Sequence, residues 1–155
     1  MKKIASFQVN HNKLKKGMYI SRIDDDIVTY DIRMKIPNNK ENDYLKNPAM
    51  HTFEHLFATY ARNTEFSENI IYIGPMGCRT GFYFLVRDKI SHRDAIKIIQ
   101  ECFEFIKKFE GEIPGSKKEE CGNYLEHDLN GAKEIAEDMI PVLKDWTEEK
   151  MIYEK

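Results

Sequence analysis

The sequence predicts an α+β fold, with an antiparallel β-sheet that carries helices packed on one face. Two β-rich segment pairs, each joined by a short polar or glycine-bearing turn, have the form of hairpins. Segments with helical periodicity follow each pair, which gives the order ββαββαα. At 155 residues, 41% hydrophobic and 32% charged, the chain has the size and composition of one globular domain. We therefore expect a single domain over residues 1–155.

The first strand pair covers "GMYISRI", residues 17–23, and "IVTYDIRMKI", residues 27–36. The second of these alternates apolar and polar residues, which is the pattern of a half-buried strand. Arg33 lies on the polar positions of this strand, where a solvated arginine is the simplest expectation. The acidic stretch 24–26 is the predicted turn, and Pro37 with the two following asparagines ends the strand.

The segment "PAMHTFEHLFATYARN", residues 48–63, predicts the first helix. Its apolar residues recur at intervals of three and four, and Pro48 suits a first helical turn. The second strand pair follows as "NIIYIG", residues 69–74, and "GFYFLVR", residues 81–87. Cys78 lies in the glycine-bearing connection between these two strands.

Two further helices complete the predicted fold. In "SHRDAIKIIQECFEFIKKFEG", residues 91–111, Ser91 and Asp94 have the spacing of a capping box, and Gly111 is the stop. Cys102 lies on the apolar stripe of this helix and is predicted to be a core residue. The last helix is expected from about 131 to 146, with Pro141 kinking or splitting it.

Composition excludes several classes of protein. The 24 Lys and Arg are matched by 26 Asp and Glu and scattered along the chain, which argues against nucleic-acid binding. No stretch has the length of a signal-peptide core or a membrane helix, so we expect a cytoplasmic protein with no membrane partner. Three cysteines, an odd number without an export signal, are expected to stay free of disulfides.

The first predicted helix places two histidines on one face. At about 100° per residue, His51 and His55 fall about 40° apart and one turn along, so both rings can reach one point. This spacing predicts chelation of one metal ion, the alternative being a surface helix with two solvated histidines. Glu54 lies near that face and could take a proton there without being a ligand.

A metal held by two helix histidines needs a third ligand, which the polar loop 112–130 offers. Cys121 is the best candidate, because a thiolate binds zinc or ferrous iron strongly and Gly122 lets the backbone turn close to the metal. Two histidines and one cysteine leave a position open, which indicates catalysis. A closed structural site with His127 as fourth ligand remains the alternative. The other candidate ligands are Glu119, Glu120 and Glu126.

Cys78 is the second cysteine with possible chemistry. It lies in "GPMGCRTG", residues 74–81, where the glycines predict close approach of the backbone, although a tight turn with an incidental thiol is the simpler interpretation. Beside a metal, a thiol can titrate near neutrality and act as an acid or base. Glu54 and Cys78 are therefore candidates for two proton-transfer groups beside one Lewis acid, an arrangement that suits enolisation next to a carbonyl.

Five segments, taken in order from Ser6 to about Lys133, match one family. They are "SFQVNHN" (6–12), "YDIRMKIPN" (30–38), "HTFEHLFATYARN" (51–63), "GPMGCRTGFY" (74–83) and "CGNYLEHDLNGAK" (121–133). Together they closely resemble the LuxS-type S-ribosylhomocysteine lyases. Five blocks in the right order are more specific than any one of them.

The resemblance implies an antiparallel α+β fold, a homodimer with active sites at the subunit interface, and one divalent metal per subunit, Fe2+ being expected and replaceable by Zn2+ or Co2+. The metal ligands would be His51, His55 and Cys121, and the general acid and base would be Glu54 and Cys78. The implied reaction moves the carbonyl of the open-chain sugar from C1 to C3 and then expels homocysteine by β-elimination. The other product would be 4,5-dihydroxy-2,3-pentanedione, the autoinducer-2 precursor used in quorum sensing.

By the same resemblance, Ser6, His11 and Arg33 match family positions that contact the substrate. The metal and proton-transfer residues match the family throughout. The departures therefore bear on how the substrate is held. They are Asn10 and Tyr72, each where the family usually has an aspartate, and Gly74, where it usually has a serine.

Two alternatives use the same residues. H-x-x-E-H is also the inverted zinc-peptidase motif, with Glu119 or Glu120 as the downstream ligand, but the chain is short for such a peptidase and Cys78 would have no role. The non-enzymatic alternative is a closed zinc-binding interaction domain without an exchangeable water.

Overall fold

The computed structural model describes all 155 residues and has the predicted α+β class. Short 3₁₀ helices occur at Ala5–Phe7, Ser67–Asn69 and Glu148–Met151. No helix combines the length and the apolar character that crossing a bilayer requires. The strands are β1 (Gly17–Asp24), β2 (Ile27–Arg33), β3 (Ile70–Pro75) and β4 (Gly81–Arg87), and the helices are α1 (Asn47–Ala61), α2 (His92–Lys108) and α3 (Leu129–Leu143).

The four strands form one antiparallel sheet in the order β1-β2-β4-β3. The β1–β2 hairpin turns at Asp25, whose φ of 53° lies in the left-handed region that aspartate tolerates. β2 and β4 pair in register along their whole length. They approach closely at Gly81, where a Cβ would meet the carbonyl oxygen of Ile32, so this position requires glycine.

One face of the sheet forms the floor of a core of 30 buried residues. Aromatic side chains join the sheet to the helices, and Phe53 of α1 lies 5.2 Å from the ring of Phe82 and 5.3 Å from that of Phe103 on α2. Each such side chain contributes about 1.5–3 kcal/mol on burial. Cys102 is fully buried here, as predicted, and burial raises the pKa of its thiol well above the usual value.

On the opposite face of the sheet, the prediction of a solvated Arg33 is wrong. Arg33 and its neighbour Asp31 are 3% and 1% exposed instead of solvated. The C-terminal segment covers them, because Tyr153 stacks on Tyr19 with ring centroids 5.1 Å apart and donates a hydrogen bond of 2.6 Å to Asp31. The donor and acceptor are 122 positions apart, so no local pattern in β2 could indicate this burial.

Two predicted boundaries also change. β2 ends at Arg33 and not at residue 36, because the N–H groups of Met34 and Lys35 both donate to the carbonyl of Thr80 and leave the strand ladder. α2 begins at the predicted cap, where the Ser91 hydroxyl accepts from the Asp94 N–H at 3.1 Å, and it ends at Lys108, three residues before the expected stop.

The last helix is shifted toward the N-terminus. It begins at Leu129 because Asp128 caps it, accepting from the Gly131 N–H at 2.9 Å. It ends at Leu143 and runs through Pro141 without division, so of the two effects expected of Pro141, a kink or a split, the split is not found. Trp146 leaves the helix and donates its indole N–H to the Met18 carbonyl at 2.8 Å.

Replacing the cap of α3 tests why this helix begins where it does. Asp128→Ala should lower the free energy of unfolding by about 1 kcal/mol, since the Gly131 N–H loses its acceptor. Asp128→Asn should leave it nearly unchanged, because asparagine caps helices equally well. Urea unfolding followed by circular dichroism measures both, and equal losses in the two variants would contradict the capping role.

Candidate metal centre and active site

α1 holds two histidines ready for coordination. The rings of His51 and His55 lie with centroids 4.7 Å apart. The Nδ1 atom of His51 is 2.7 Å from the carbonyl oxygen of Glu126, and that of His55 is 2.8 Å from the carbonyl oxygen of Pro114. A carbonyl only accepts hydrogen bonds, so both Nδ1 atoms carry the ring hydrogen and both Nε2 lone pairs are free. This is the arrangement found for metal-binding histidines.

Cys121 completes the triad that the sequence predicted. Its Sγ atom lies 3.4 Å from Nε2 of His51 and 4.0 Å from Nε2 of His55. With His127, these residues form a group whose ligand atoms all lie within 4.8 Å of one another. Two imidazole nitrogens and a thiolate suit a divalent transition metal, so the group could hold one.

The glutamates considered as ligands are not part of this four-residue cluster. Glu126 contributes its carbonyl to His51, and its carboxylate accepts from Asn123 at 2.8 Å. The zinc-peptidase alternative required a downstream glutamate ligand at Glu119 or Glu120. The cluster does not provide it.

The late loop docks on α1 through Thr52, a residue that the sequence analysis missed. Thr52 is fully buried, and its Oγ1 accepts from the Asp128 N–H at 2.9 Å and lies 2.9 Å from Nδ1 of His127. The His127 ring stacks on that of His51 at 4.1 Å. The pKa of His127 is lowered, first by burial and then by His51 and His55. The sequence signal that could have identified Thr52 is its position four residues before Leu56, which places a polar residue in the same helical row as an apolar one.

Cys78 belongs to a second group of polar side chains. It is exposed in the turn between β3 and β4, and its Sγ lies 3.0 Å from Oγ1 of Thr80. Thr80 is buried and accepts from Nη1 of Arg33 at 2.7 Å. Nε and Nη2 of Arg33 donate to the two oxygens of Asp31, at 3.1 and 2.6 Å. The buried Asp31–Arg33 pair thus holds the turn that carries the thiol.

The remaining predicted site residues are not joined to either group by a hydrogen bond. Glu54 is half-buried on α1, and its carboxylate has no hydrogen-bond partner. Ser6 lies in the one-turn helix Ala5–Phe7, and the Nδ1 atom of His11 is 2.9 Å from the Val9 carbonyl oxygen. The single chain therefore brings together the predicted metal ligands, and no hydrogen bond links these three side chains to them.

The family described as S-Ribosylhomocysteinase (LuxS) matches residues 4–150. The chain belongs to the LuxS family. Relatives named S-ribosylhomocysteine lyase, from Porphyromonas gingivalis, Phocaeicola vulgatus and Borreliella afzelii, are 46%, 45% and 43% identical to it. Each alignment covers 99% of this chain, and 99%, 98% and 99% of the respective relative. The resemblance seen in five segments is thus confirmed, and membership makes the chain a carbon–sulfur lyase by class.

Two of the three departures from the LuxS pattern are coupled in the structure. The ring of Tyr72 lies over Gly74, and a Cβ at Gly74 would collide with the Tyr72 hydroxyl and ring carbons. A serine therefore does not fit while Tyr72 keeps this position. Tyr72 is 54% exposed, so it presents a large aromatic surface on the strand that leads to Cys78.

The hydrogen bond that closes the buried Asp31–Arg33 pair provides a stability test. Tyr153→Phe keeps the ring but removes the donor to Asp31, and the free energy of unfolding should fall by about 1.5–3 kcal/mol, the range for bonds to charged groups. Tyr83→Phe is the matched control, because Tyr83 of β4 pairs with Asp31 across the sheet and its hydroxyl makes no hydrogen bond. Its change should stay within about 0.5 kcal/mol. A Tyr153→Phe protein as stable as the control, by urea unfolding, would contradict the contribution of this bond.

Proposed function

We propose that this LuxS-family chain cleaves S-ribosylhomocysteine, the compound in its relatives' name, to homocysteine and 4,5-dihydroxy-2,3-pentanedione, the precursor of autoinducer-2. One observation carries the proposal. His51, His55 and Cys121 converge with both Nε2 lone pairs free, in a chain that matches the family over residues 4–150.

The donor set fits the metal that the family resemblance implies. Nitrogen and thiolate donors suit Fe2+, which we expect in this chain, and equally Zn2+ or Co2+. When bound, the ion would supply a Lewis acid that polarises the sugar carbonyl. The chain's own contribution is to hold His51 and His55 in the tautomer that leaves Nε2 free, through the carbonyls of Glu126 and Pro114.

Glu54 is proposed as one proton-transfer group. Its carboxylate lies on the same helix as the two histidines and makes no hydrogen bond, so both oxygens are free to accept a proton. In each isomerisation a proton leaves the carbon next to the carbonyl and another is delivered to the former carbonyl carbon, while the hydroxyl hydrogen of the first carbon is replaced by one on the former carbonyl oxygen. Two such steps move the carbonyl from C1 to C3. A carboxylate without a competing partner suits the removal step.

Cys78 is proposed as the second proton-transfer group, acting on the neighbouring carbon. Thr80 accepts from Arg33 and keeps its own hydroxyl hydrogen available for the Cys78 sulfur. This chain of contacts sets the direction of the thiol. In the final step a proton leaves the carbon next to the C3 carbonyl, and the homocysteine sulfur departs from the following carbon with the bonding electron pair.

Substrate binding is assigned to Ser6, His11 and Arg33. An arginine has five N–H donors, and Arg33 uses three of them on Asp31 and Thr80. Because the C-terminal segment covers Arg33, which is 3% exposed, the two remaining N–H groups would meet a substrate oxygen only when that segment is displaced. The side chains of Ser6 and His11 have no hydrogen bond to the cluster within one chain, and we assign them to the site of a second subunit, as the family resemblance implies.

A homodimer would complete the site, and exposed apolar side chains support this. Ile4 and Phe7, which flank Ser6, are 55% and 64% exposed, and Leu125, between Cys121 and His127, is 80% exposed. Apolar surface of this kind commonly marks an interface. Dimerisation would cover the apolar side chains and enclose the metal cluster between the two subunits.

The reaction and the separate roles of Cys78, Glu54 and Cys121 are tested together on the iron-loaded protein, purified without oxygen. Incubation with S-ribosylhomocysteine should release homocysteine, measured by thiol titration. Cys78→Ala should keep the metal and lose turnover, because the thiol is not a ligand. Glu54→Gln should keep the metal and lose about a hundredfold in turnover, as expected for a removed general base. Cys121→Ala should lose metal and activity together.

Cys102→Ala is the matched cysteine control, since it removes a thiol from the core and should keep both metal and turnover. Absence of thiol release by the unsubstituted protein would refute the proposed reaction. Near-normal turnover in Cys78→Ala, or a metal-free Cys78→Ala protein, would refute the role of that cysteine.

The shared site is tested by mixing two inactive variants, His11→Ala and His51→Ala. If each site takes its N-terminal segment from one subunit and its cluster from the other, a mixed dimer has one intact site. Random exchange of subunits should then restore about a quarter of the wild-type activity. Light scattering confirms the dimer in the same samples. No recovery after demonstrated exchange, or an active monomer, would exclude the shared site.

A further inference from the structure

We infer that His127 is a hydrogen-bond donor aimed at the open side of the metal centre, and not a fourth ligand. The Nε2 atom of His127 is the only buried side-chain nitrogen or oxygen in the chain without a hydrogen-bond partner. It lies in the group formed with His51, His55 and Cys121. A buried polar atom is costly to leave unpaired, so its partner is expected to be a ligand of the site.

The tautomer of His127 follows from the partner of its other nitrogen. His51 and His55 face carbonyl oxygens, which can only accept, whereas Nδ1 of His127 faces the hydroxyl of Thr52 at 2.9 Å. That hydroxyl already accepts from the Asp128 N–H. Its own hydrogen has no other acceptor in the structure than Nδ1 of His127, and Thr52 is fully buried. Thr52 therefore donates to Nδ1, and a neutral His127 carries its hydrogen on Nε2.

The opposite tautomers separate the roles of the three histidines. His51 and His55 offer Nε2 lone pairs, as a ligand must, and His127 offers an N–H, which cannot coordinate a metal. The cluster is thus an open site with three ligands and one neighbouring donor.

A donor in this position has a chemical use that rests on the proposed function. When a proton leaves the carbon next to a carbonyl, negative charge develops on the carbonyl oxygen. An N–H held in place before the reaction stabilises that charge without reorganisation. Because the charge is absent in the bound substrate, the benefit should appear in kcat more than in KM. His127 would thus be a further catalytic residue, kept in the donating tautomer by Thr52.

Two amide variants test the position of the donor. His127→Asn places an amide about where Nδ1 lies, so it can still contact Thr52 but does not reach the Nε2 position. His127→Gln is one carbon longer and can bring an N–H there. The first readout is cobalt, because cobalt content per chain and the visible ligand-field spectrum report the ligands without any turnover. Both variants should bind one cobalt with the wild-type spectrum, and His51→Ala, the matched loss of a true ligand, should not.

The second readout is the affinity of the cobalt-loaded proteins for azide, a small anion that can occupy an open position beside a donor. Azide should bind about tenfold more weakly to His127→Asn than to wild type, and His127→Gln should recover part of that loss. The third readout is homocysteine release. His127→Asn should lose about 10²–10³ in kcat, the range for one removed oxyanion donor, with little change in KM. His127→Gln should regain at least a tenth of the lost rate.

Loss of cobalt or a changed spectrum in both variants would show that His127 is a ligand and overturn the inference. Unchanged azide affinity together with unchanged kcat would overturn it as well. If the unsubstituted protein releases no homocysteine, the proposed function fails, but cobalt content and azide binding still decide the role of His127. Far-ultraviolet circular dichroism identifies a variant that has not folded, and the other amide variant then provides the comparison with wild type.

Discussion

The docking of the late loop on α1 is the constraint on which the metal centre depends. Thr52, fully buried on α1, holds the Asp128 backbone and the His127 ring with one hydroxyl. The same loop returns the Glu126 carbonyl to His51. Cys121 reaches the two helix histidines across 66 and 70 positions of the chain. Without this attachment, the third donor would belong to an exposed loop. α3 also lies close to α1 at Gly131, where a Cβ would meet the Cβ of Ala49 and the carboxylate of Asp128.

The two faces of the sheet have different tasks. The inner face consists of aromatic and aliphatic side chains that position α1, and their burial contributes to the free energy of folding. The outer face buries a salt bridge between Asp31 and Arg33, roofed by Tyr153. Burying such a pair is costly in itself, so its role is better understood as geometric. Arg33 also donates to Thr80, and Thr80 contacts Cys78, so the pair is linked by hydrogen bonds to the turn that holds the thiol. The C-terminal segment and the proposed proton-transfer thiol are therefore connected through one polar network.

The three histidines of the metal centre differ in chemistry because their Nδ1 atoms contact different groups. Carbonyl oxygens hold His51 and His55 as lone-pair donors toward a metal, and a hydroxyl holds His127 in the opposite tautomer. The departures at Tyr72 and Gly74 also depend on a local contact, because the absence of a side chain at Gly74 leaves room for the Tyr72 ring on the strand that leads to Cys78. Membership of the LuxS family is thus compatible with a local rearrangement near the proposed substrate site.

Local periodicity determined most of the fold in advance. Four strands, three helices, the Ser91 cap and the buried Cys102 could all be predicted, because each depends on residues a few positions apart. The pairing of His51 with His55 was also predictable, since helical geometry alone sets it. Only the tertiary structure decided the burial of Arg33 under Tyr153, the position of His127 beside the predicted ligand Cys121, and the part played by Thr52. These depend on contacts between segments some 70 to 120 positions apart, and such contacts are set by how the helices and the sheet pack, which no local pattern encodes.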